Sequence, residues 1–437
     1  MRFTPTGTFG PDDRIVDPLT GQVISVRGRA SSNLVYEATD SDQTLTGGNA
    51  FEGFVYDLTL DGESGRRFDG FTTISAGAGH DIIDLTVRPD NASEAYDTPI
   101  DLIGGLGDDI ILTGSSASLS GRAYGDGVRL AMNTTGGHDK LFGGDGIDVL
   151  YGDAALSSNA FGGDDQLFGR GGDDVLYGDS QEALTPWGPS QGDDHIYGGP
   201  GNDTLYGDGF RSPIRGGDDV LKGASGDDEI YGDVRIASAH VAGGNDFIEA
   251  GDGNDSVYGD ARILVGEGGN DVIDGGDGDD RLYGDAARAD EEWAPDGNLD
   301  DLLIGGDDVI YGGDGVDRIY GDASFMRYST GGDDIIDSGP GDDILYGEGF
   351  DAAVIPGADT FIFEPGDGMD WIRDFQPGID TIDLSAWGFA DFEDLTIRNN
   401  GSNTVYVDLA EGDQLQIEGR ADQVVRVTVT AEDFILA

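Results

Sequence analysis

Carboxylates recur along this chain at a spacing regular enough to imply shared chemistry. In the stretch "GGNDVIDGGDGDDRLYGDA" (Gly268–Ala286), an Asp closes each glycine-rich turn and directly precedes a short apolar run. One series of such residues is Asp148, Asp174, Asp203, Asp228, Asp255, Asp280, Asp317 and Asp343. A second is Asp139, Asp165, Asp194, Asp219, Asp246, Asp271, Asp308 and Asp334, and Asp81 and Asp109 hold the same place in weaker copies. One Asp in one turn needs no special account, because Asp favours turns. Two series in phase with glycine and with apolar residues do need one. If the turns stack as neighbouring strands do, about 4.8 Å apart, adjacent carboxylates repel by about 3 kcal/mol per pair at an effective dielectric of 20. Cations between the layers would remove that cost. Calcium suits the position, since it takes six to eight oxygen ligands, including carbonyls that a glycine turn leaves accessible. Magnesium prefers a tighter octahedron and keeps its waters. These Asp are therefore the candidate calcium ligands.

The elements that position them follow from an internal repeat. "VLYGD" recurs in variants, with its Tyr at 151, 177, 206, 231, 258, 283, 320 and 346. Each interval holds two nine-residue units plus 7 to 19 extra residues, and every excess falls after "YGD". Three residues of each unit read as a minimal strand with the central apolar residue pointing inward. The remaining six reverse the chain, helped by the positive φ open to glycine. Two strands and two turns close one coil of a right-handed β-solenoid. Leu150, Leu176, Leu205, Ile230, Val257, Leu282, Ile319 and Leu345 are expected to stack in one inward column. Leu141, Leu167, Ile196, Leu221, Ile248, Ile273, Ile310 and Ile336 face them. A lone coil cannot bury such a core; a stack can. The Tyr residues should form a ladder on the outward side of one sheet, either packed under the inserted loops or open as a docking face. Asp153, Asp179, Asp208, Asp233, Asp260, Asp285, Asp322 and Glu348, which follow each Tyr-Gly, are placed to pin the base of the loops. One edge keeps the plain turn while the other is opened by insertions, so calcium is expected to bind the looped edge more weakly.

The repeat G-G-D-G-D-D-R-L-Y from Gly275 resembles the nonapeptides of the RTX (repeats-in-toxin) family of secreted calcium-binding proteins. Good copies run from Gly136 to Tyr346, and weaker ones occur at "AGAGHDIID" (Ala76–Asp84) and "GGLGDDIIL" (Gly104–Leu112). The resemblance implies a parallel β-roll that folds on several Ca²⁺ ions. The insertion after every second strand departs from the family pattern. Residues 357–437 change character to ordinary alternating strands. They resemble the C-terminal cap of RTX proteins, and "AEDFILA" is similar to the uncleaved signals read by type I secretion machinery. The expected organisation is an N-terminal β-rich cap (1–75), the roll (76–356, weak repeats to 135 and regular ones over 136–349), and a C-terminal cap with the export signal (357–437).

Composition restricts function further. The chain has 437 residues, 87 acidic against 24 basic ones, a formal net charge of −63, and no Cys. Such acidity disfavours nucleic acid and anionic membranes as partners. No Cys means no disulfide and no thiolate metal site. The four His form no HExxH arrangement, so a zinc hydrolase is not expected. No apolar run is long enough to span a membrane. The first 17 residues contain no apolar stretch of the kind a cleaved signal peptide needs. The leading expectation is a secreted, non-enzymatic structural, adhesive or surface-matrix protein, with matrix glycans or further copies of itself as partners. The alternative is a carbohydrate-active enzyme of uronate epimerase or lyase type with a groove formed by the loops. His240, Arg235, Arg262 and Arg288 lie on different coils and form no evident catalytic set.

Overall fold

Each coil is held by its neighbours, because the same short apolar strand returns every 25 to 37 residues and pairs with its own copy. The computed structural model describes residues 71–86, 100–114, 121–158, 160–183, 191–212, 215–237, 241–288, 303–326, 329–349, 355–399, 404–410, 412–420 and 426–437, preceded by short strands at 14–16, 23–25, 36–37, 44–46, 53–55 and 68–69. Among these, two long sheets of sixteen and fourteen strands run the length of a β-solenoid. Pairing is parallel and in register, so that Leu150 meets Leu176 and Tyr151 meets Tyr177 in one sheet, while Leu141 meets Leu167 in the other. The two inward columns expected from the repeat are fully buried from Leu141 to Leu345 and form one continuous core. Burying each such side chain contributes about 1.5–3 kcal/mol.

Plain turns owe their shape to two glycines. Gly251 and Gly253 have φ of 115° and 150°, and Gly276 and Gly278 have 96° and 146°, values that residues with a Cβ rarely adopt. Ala224 is an exception, in register with Gly199 and Gly251 at φ 90°. Ala224→Gly is therefore expected to stabilise the calcium-loaded protein by about 1 kcal/mol through relief of strain. Thermal unfolding in saturating calcium reads the gain; an unchanged or lowered midpoint would show no strain there.

The insertions do more than displace turns. Gly127–Leu130, Ala154–Ser157, Ser180–Ala183, Gly209–Ser212, Val234–Ala237, Ala261–Ile263 and Ala286–Arg288 pair into a third parallel sheet, giving this stretch of the solenoid a third side. The loops carry a small core of their own, including Val234, Ala261, Leu264, Val265 and Leu303. Tyr124 joins the eight expected Tyr in a ladder with ring centroids 4.6–5.0 Å apart and nearly parallel planes. The ladder is at most 9% exposed, and Ala155, Phe210 and Ala287 of the loop sheet pack against it. It is therefore the floor on which the loops fold, and the alternative of an open docking face is corrected. On the opposite sheet only Phe142, Phe168 and Tyr197 stack before the column turns polar with the Lys222–Glu249 ion pair.

The change of sequence character at 357 does not end the sheets. Thr360–Ile362 and Thr381–Asp383 extend one sheet in parallel, and Met369–Ile372 extends the other. Gln414–Glu418 pairs in parallel with Met369–Ile372, and Thr404–Asp408 and Thr396–Asn399 follow antiparallel to close the Tyr sheet. The last strand, Phe434–Ile435, pairs with Ile382–Asp383, and Phe434 is buried. The "AEDFILA" tail is thus built into the cap. At the other end, the backbone strands at 44–46 and 53–55 stack on Thr73–Ser75 and Ile82–Asp84. Within the expected N-terminal cap, Arg14–Val16 also pairs antiparallel with Val23–Ser25, and Tyr36–Glu37 pairs in parallel with Phe68–Asp69; the other residues before 71, and His240, lie outside the described residues.

Candidate metal centre

Stacking the coils brings the candidate ligands into two files, one along each edge. The backbone N–H of each Asp donates to Oδ1 of the corresponding Asp one coil on. On the looped edge Asp139 donates to Asp165, Asp165 to Asp194 and Asp194 to Asp219, all at 2.6 Å. On the plain edge Asp174 donates to Asp203 and Asp203 to Asp228, both at 2.7 Å. Asp81 and Asp109 belong to the looped file. The same ladder reaches Asp359 on that edge and Asp370 on the other, positions not singled out from the sequence.

For most of these carboxylates the second oxygen has no such partner. Oδ2 is buried without a hydrogen bond in Asp109, Asp139, Asp165, Asp194, Asp219, Asp246, Asp271, Asp308, Asp334 and Asp359. The same holds on the plain edge for Asp174, Asp203, Asp228, Asp255, Asp280, Asp317 and Asp343. None of these residues is more than 3% exposed. A buried carboxylate oxygen left unpaired is costly. Main-chain carbonyls converge on the same points. A Cβ placed on Gly152 would lie 2.1 Å from Asp165 Oδ2 and 1.7 Å from the Gly178 carbonyl oxygen. On the plain edge a Cβ on Gly169 would lie 2.6 Å from both Asp174 Oδ2 and the Gly198 carbonyl oxygen. Glycine is needed there for space, and the all-oxygen donor set it admits is the kind that holds Ca²⁺.

Electrostatics carry the same signature. Burial, with help from neighbouring carboxylates, pushes Asp109 up to about 9, Asp228 to about 8, and Asp174, Asp280, Asp317 and Asp343 to about 7. Burial, with a further push from Asp173 and Asp227 respectively, moves Asp203 and Asp255 to about 6. Burial holds the looped-edge residues Asp139, Asp165, Asp194, Asp219, Asp246, Asp271, Asp308 and Asp334 well above the usual carboxylate range. Without cations each of these groups is harder to ionise than an ordinary Asp.

Asp148 is the exception among the expected ligands. Its Oδ2 accepts from Gly144 N–H at 2.6 Å, and the Arg170 charge also acts on it. The plain-edge file of unpartnered oxygens therefore starts at Asp174. The residue ahead of Asp148 in that register is Gly121, so the plain edge has no carboxylate in the coil before it.

The looped edge, where weaker calcium binding is expected, carries further carboxylates of its own. The Asp after each Tyr-Gly is fully buried beside the sixth-position Asp. Asp179 Oδ2 accepts from Gly192 N–H at 3.0 Å, and Asp126 Oδ2 from Gly137 N–H at 2.9 Å, so these residues do pin the returning end of the insertion. They also gather. Asp153, Asp165 and Asp179 each offer a carboxylate oxygen within 4.8 Å of the others, and so do Asp208, Asp219 and Asp233. Asp126 was missed because its coil lacks the turn Asp, although "AYGD" at 123–126 was there to be read. At the far end of this file Gln376 donates to Glu348, and the Arg420 charge acts on both Glu348 and Asp374. A guanidinium thus supplies positive charge to these carboxylates where the coils stop.

The family profile for the RTX calcium-binding nonapeptide repeat (4 copies) matches residues 133–155, 160–182, 190–211, 215–234, 240–261, 263–287, 299–324 and 328–351. No curated protein matches the chain by sequence. Among solved structures, the AlgE6R3 subunit from the Azotobacter vinelandii mannuronan C5-epimerase is 26% identical, over 36% of this chain and 78% of that one, at a TM-score of 0.24. The AlgE6R2 subunit of the same enzyme is 25% identical, over 38% of this chain and 91% of that one, at a TM-score of 0.22.

Proposed function

Because the chain belongs to the RTX calcium-binding nonapeptide-repeat family, and so is a calcium-binding repeat protein, we propose that it is exported unfolded and folds on Ca²⁺ outside the cell. There it serves as a non-enzymatic structural or adhesive component of a surface or matrix. The observation that carries this reading is the pair of buried carboxylate files whose Oδ2 atoms find no protein partner. The sixth-position Asp of both edges, apart from Asp148, would hold the ions together with the adjacent Gly carbonyls. Calcium would neutralise the files and let successive coils close on one another. Cytosolic calcium is far below the range in which extracellular modules bind, so the chain would stay export-competent inside. No helix among the described residues is long and apolar enough to cross a membrane. The loops support a structural role: their strands are spent on covering the Tyr ladder and on a third sheet. Type I secretion machinery, surface or matrix glycans and further copies of the chain are the partners this role calls for. Turnover of a uronate polymer by the calcium-loaded chain would replace this reading with the enzymatic one.

Export gives a direct test. Deleting residues 431–437 is expected to abolish secretion through a type I exporter, read as loss of the chain from the medium. Because Phe434 is buried on the end of the sheet, the truncation should also loosen the cap by about 1.5–3 kcal/mol. Undiminished secretion would show that the signal lies elsewhere.

A further inference from the structure

We propose that the looped edge is a second class of calcium site, built from residues outside the nonapeptide, and that it is the tighter of the two. The added ligands are the carboxylates of the Tyr-Gly-Asp corners. In one instance Asp153 and Asp179, from successive coils, flank the sixth-position Asp165; in another Asp208 and Asp233 flank Asp219. These residues are at most 3% exposed. Hydrogen bonding leaves oxygens over. Asp165 uses Oδ1 for the Asp139 N–H and Asp179 uses Oδ2 for Gly192 N–H. Asp153 Oδ1, Asp165 Oδ2 and Asp179 Oδ1 remain buried without partners, as do Asp208 Oδ2 and Asp219 Oδ2. Three oxygens within 4.8 Å of one another lie inside the span of one calcium ion, whose opposed ligands sit about 4.6–5.2 Å apart.

Charge separates the two edges. The looped edge presents two buried carboxylates per coil, which one divalent cation per coil neutralises. The plain edge presents one buried sixth-position carboxylate per coil. Calcium affinity rises with ligand charge and site rigidity, and here the corner carboxylate is held by the same glycine N–H that anchors the loop. The space is closed to any side chain: a Cβ on Gly162 would meet Asp179 Oδ1 at 2.0 Å, and one on Gly216 would meet Asp233 Oδ1 at 1.7 Å. The insertions therefore do not weaken the edge. They are the loops that these carboxylates tie down.

This inference rests on the calcium reading, and the test keeps the two apart. Asn at a corner position keeps an acceptor for the glycine N–H and removes the charge. In the full-length chain, Asp179→Asn with Asp233→Asn should lower the number of bound Ca²⁺ counted by native mass spectrometry. It should also raise the calcium midpoint for folding about tenfold, the scale on which ligand charge tunes such sites. Asp228→Asn with Asp255→Asn, on the plain edge, should raise the midpoint less. If the corner variant keeps its full ion count while Asp165→Asn with Asp219→Asn loses ions, the corners are only loop anchors and the inference is overturned. If neither pair loses ions, the calcium reading of this edge fails with it. Should the corner double variant not fold at any calcium concentration, the single variant Asp208→Asn supplies the count, and an undiminished one overturns the inference.

Discussion

Chelating calcium at pH 7.5 is expected to unfold most of the chain, and returning it to roughly 0.1–1 mM, the range of extracellular calcium modules, should restore the β-structure cooperatively. The expectation follows from scale. Adjacent ionised carboxylates in a file repel by about 3 kcal/mol per pair at an effective dielectric of 20, and a domain's whole net stability is about 5–15 kcal/mol. Seventeen sixth-position Asp oxygens, in two files, lack any protein partner, so the ion-free roll has no stability with which to offset both files. Each ion links neighbouring coils, and coils are stable only on their neighbours. Loss of ions in the middle should therefore propagate. Circular dichroism through a calcium titration reads this. A spectrum unchanged by chelator would sink the proposed folding mechanism, since the carboxylate files would then be stable by themselves.

How far the fold was legible depended on what each residue encodes locally. Leu150, Leu176 and their partners announce their role through type and phase, and every one of them is buried where the repeat places it. The turn Asp do the same, apart from Asp148, whose Oδ2 is taken by Gly144 N–H beside Arg170. That bond spans four residues inside a turn of the ordinary motif, so no change of motif marks it. The loop sheet left no such mark. Its strands read "AALS", "SQEA", "GFRS" and "VRIA", which share neither alternation nor a common apolar position. They pair because the regular strands ahead of them have already set the coil register, so the information is carried by neighbours. The corner Asp were visible as a pattern, and their partnership with the turn Asp was not. The insertion separates Asp153 from Asp165 in sequence, and only the closure of the loop brings their oxygens together. Ahead of the cap strand Thr360–Ile362 the chain keeps a single glycine, Gly357, and ahead of Met369–Ile372 it keeps Gly366 and Gly368 at positive φ; Asp359 and Asp370 carry the ladder into both.

Acid is expected to stand in for calcium. In chelator, lowering the pH from 7.5 to about 4 should bring back a large part of the β-structure lost on ion removal. In the folded, ion-free roll, burial raises Asp174, Asp280, Asp317 and Asp343 to about 7, Asp228 to about 8 and Asp109 to about 9, against 3.8 for an ordinary Asp. A group whose folded value is raised binds its proton more tightly when folded. Its contribution to stability is complete below the unfolded value of 3.8 and is lost as pH rises through the folded values. For the plain edge the loss begins near the unfolded value of 3.8 and is complete at the folded values of about 6 to 8, and the looped edge, also raised, acts in the same direction. Protonation turns each buried carboxylate into a neutral group, so the files no longer repel. Calcium and protons should therefore compete, with protons released on calcium binding near pH 7. The charge of −63 offers a rival explanation, because acid also reduces repulsion over the whole surface. High salt at pH 7.5 separates the two: it screens exposed charges and leaves buried ones largely unscreened. Circular dichroism in chelator with 1 M NaCl, about 3 Å of Debye length, should recover little structure compared with pH 4. Equal recovery in salt and in acid would place the repulsion on the surface rather than in the buried files.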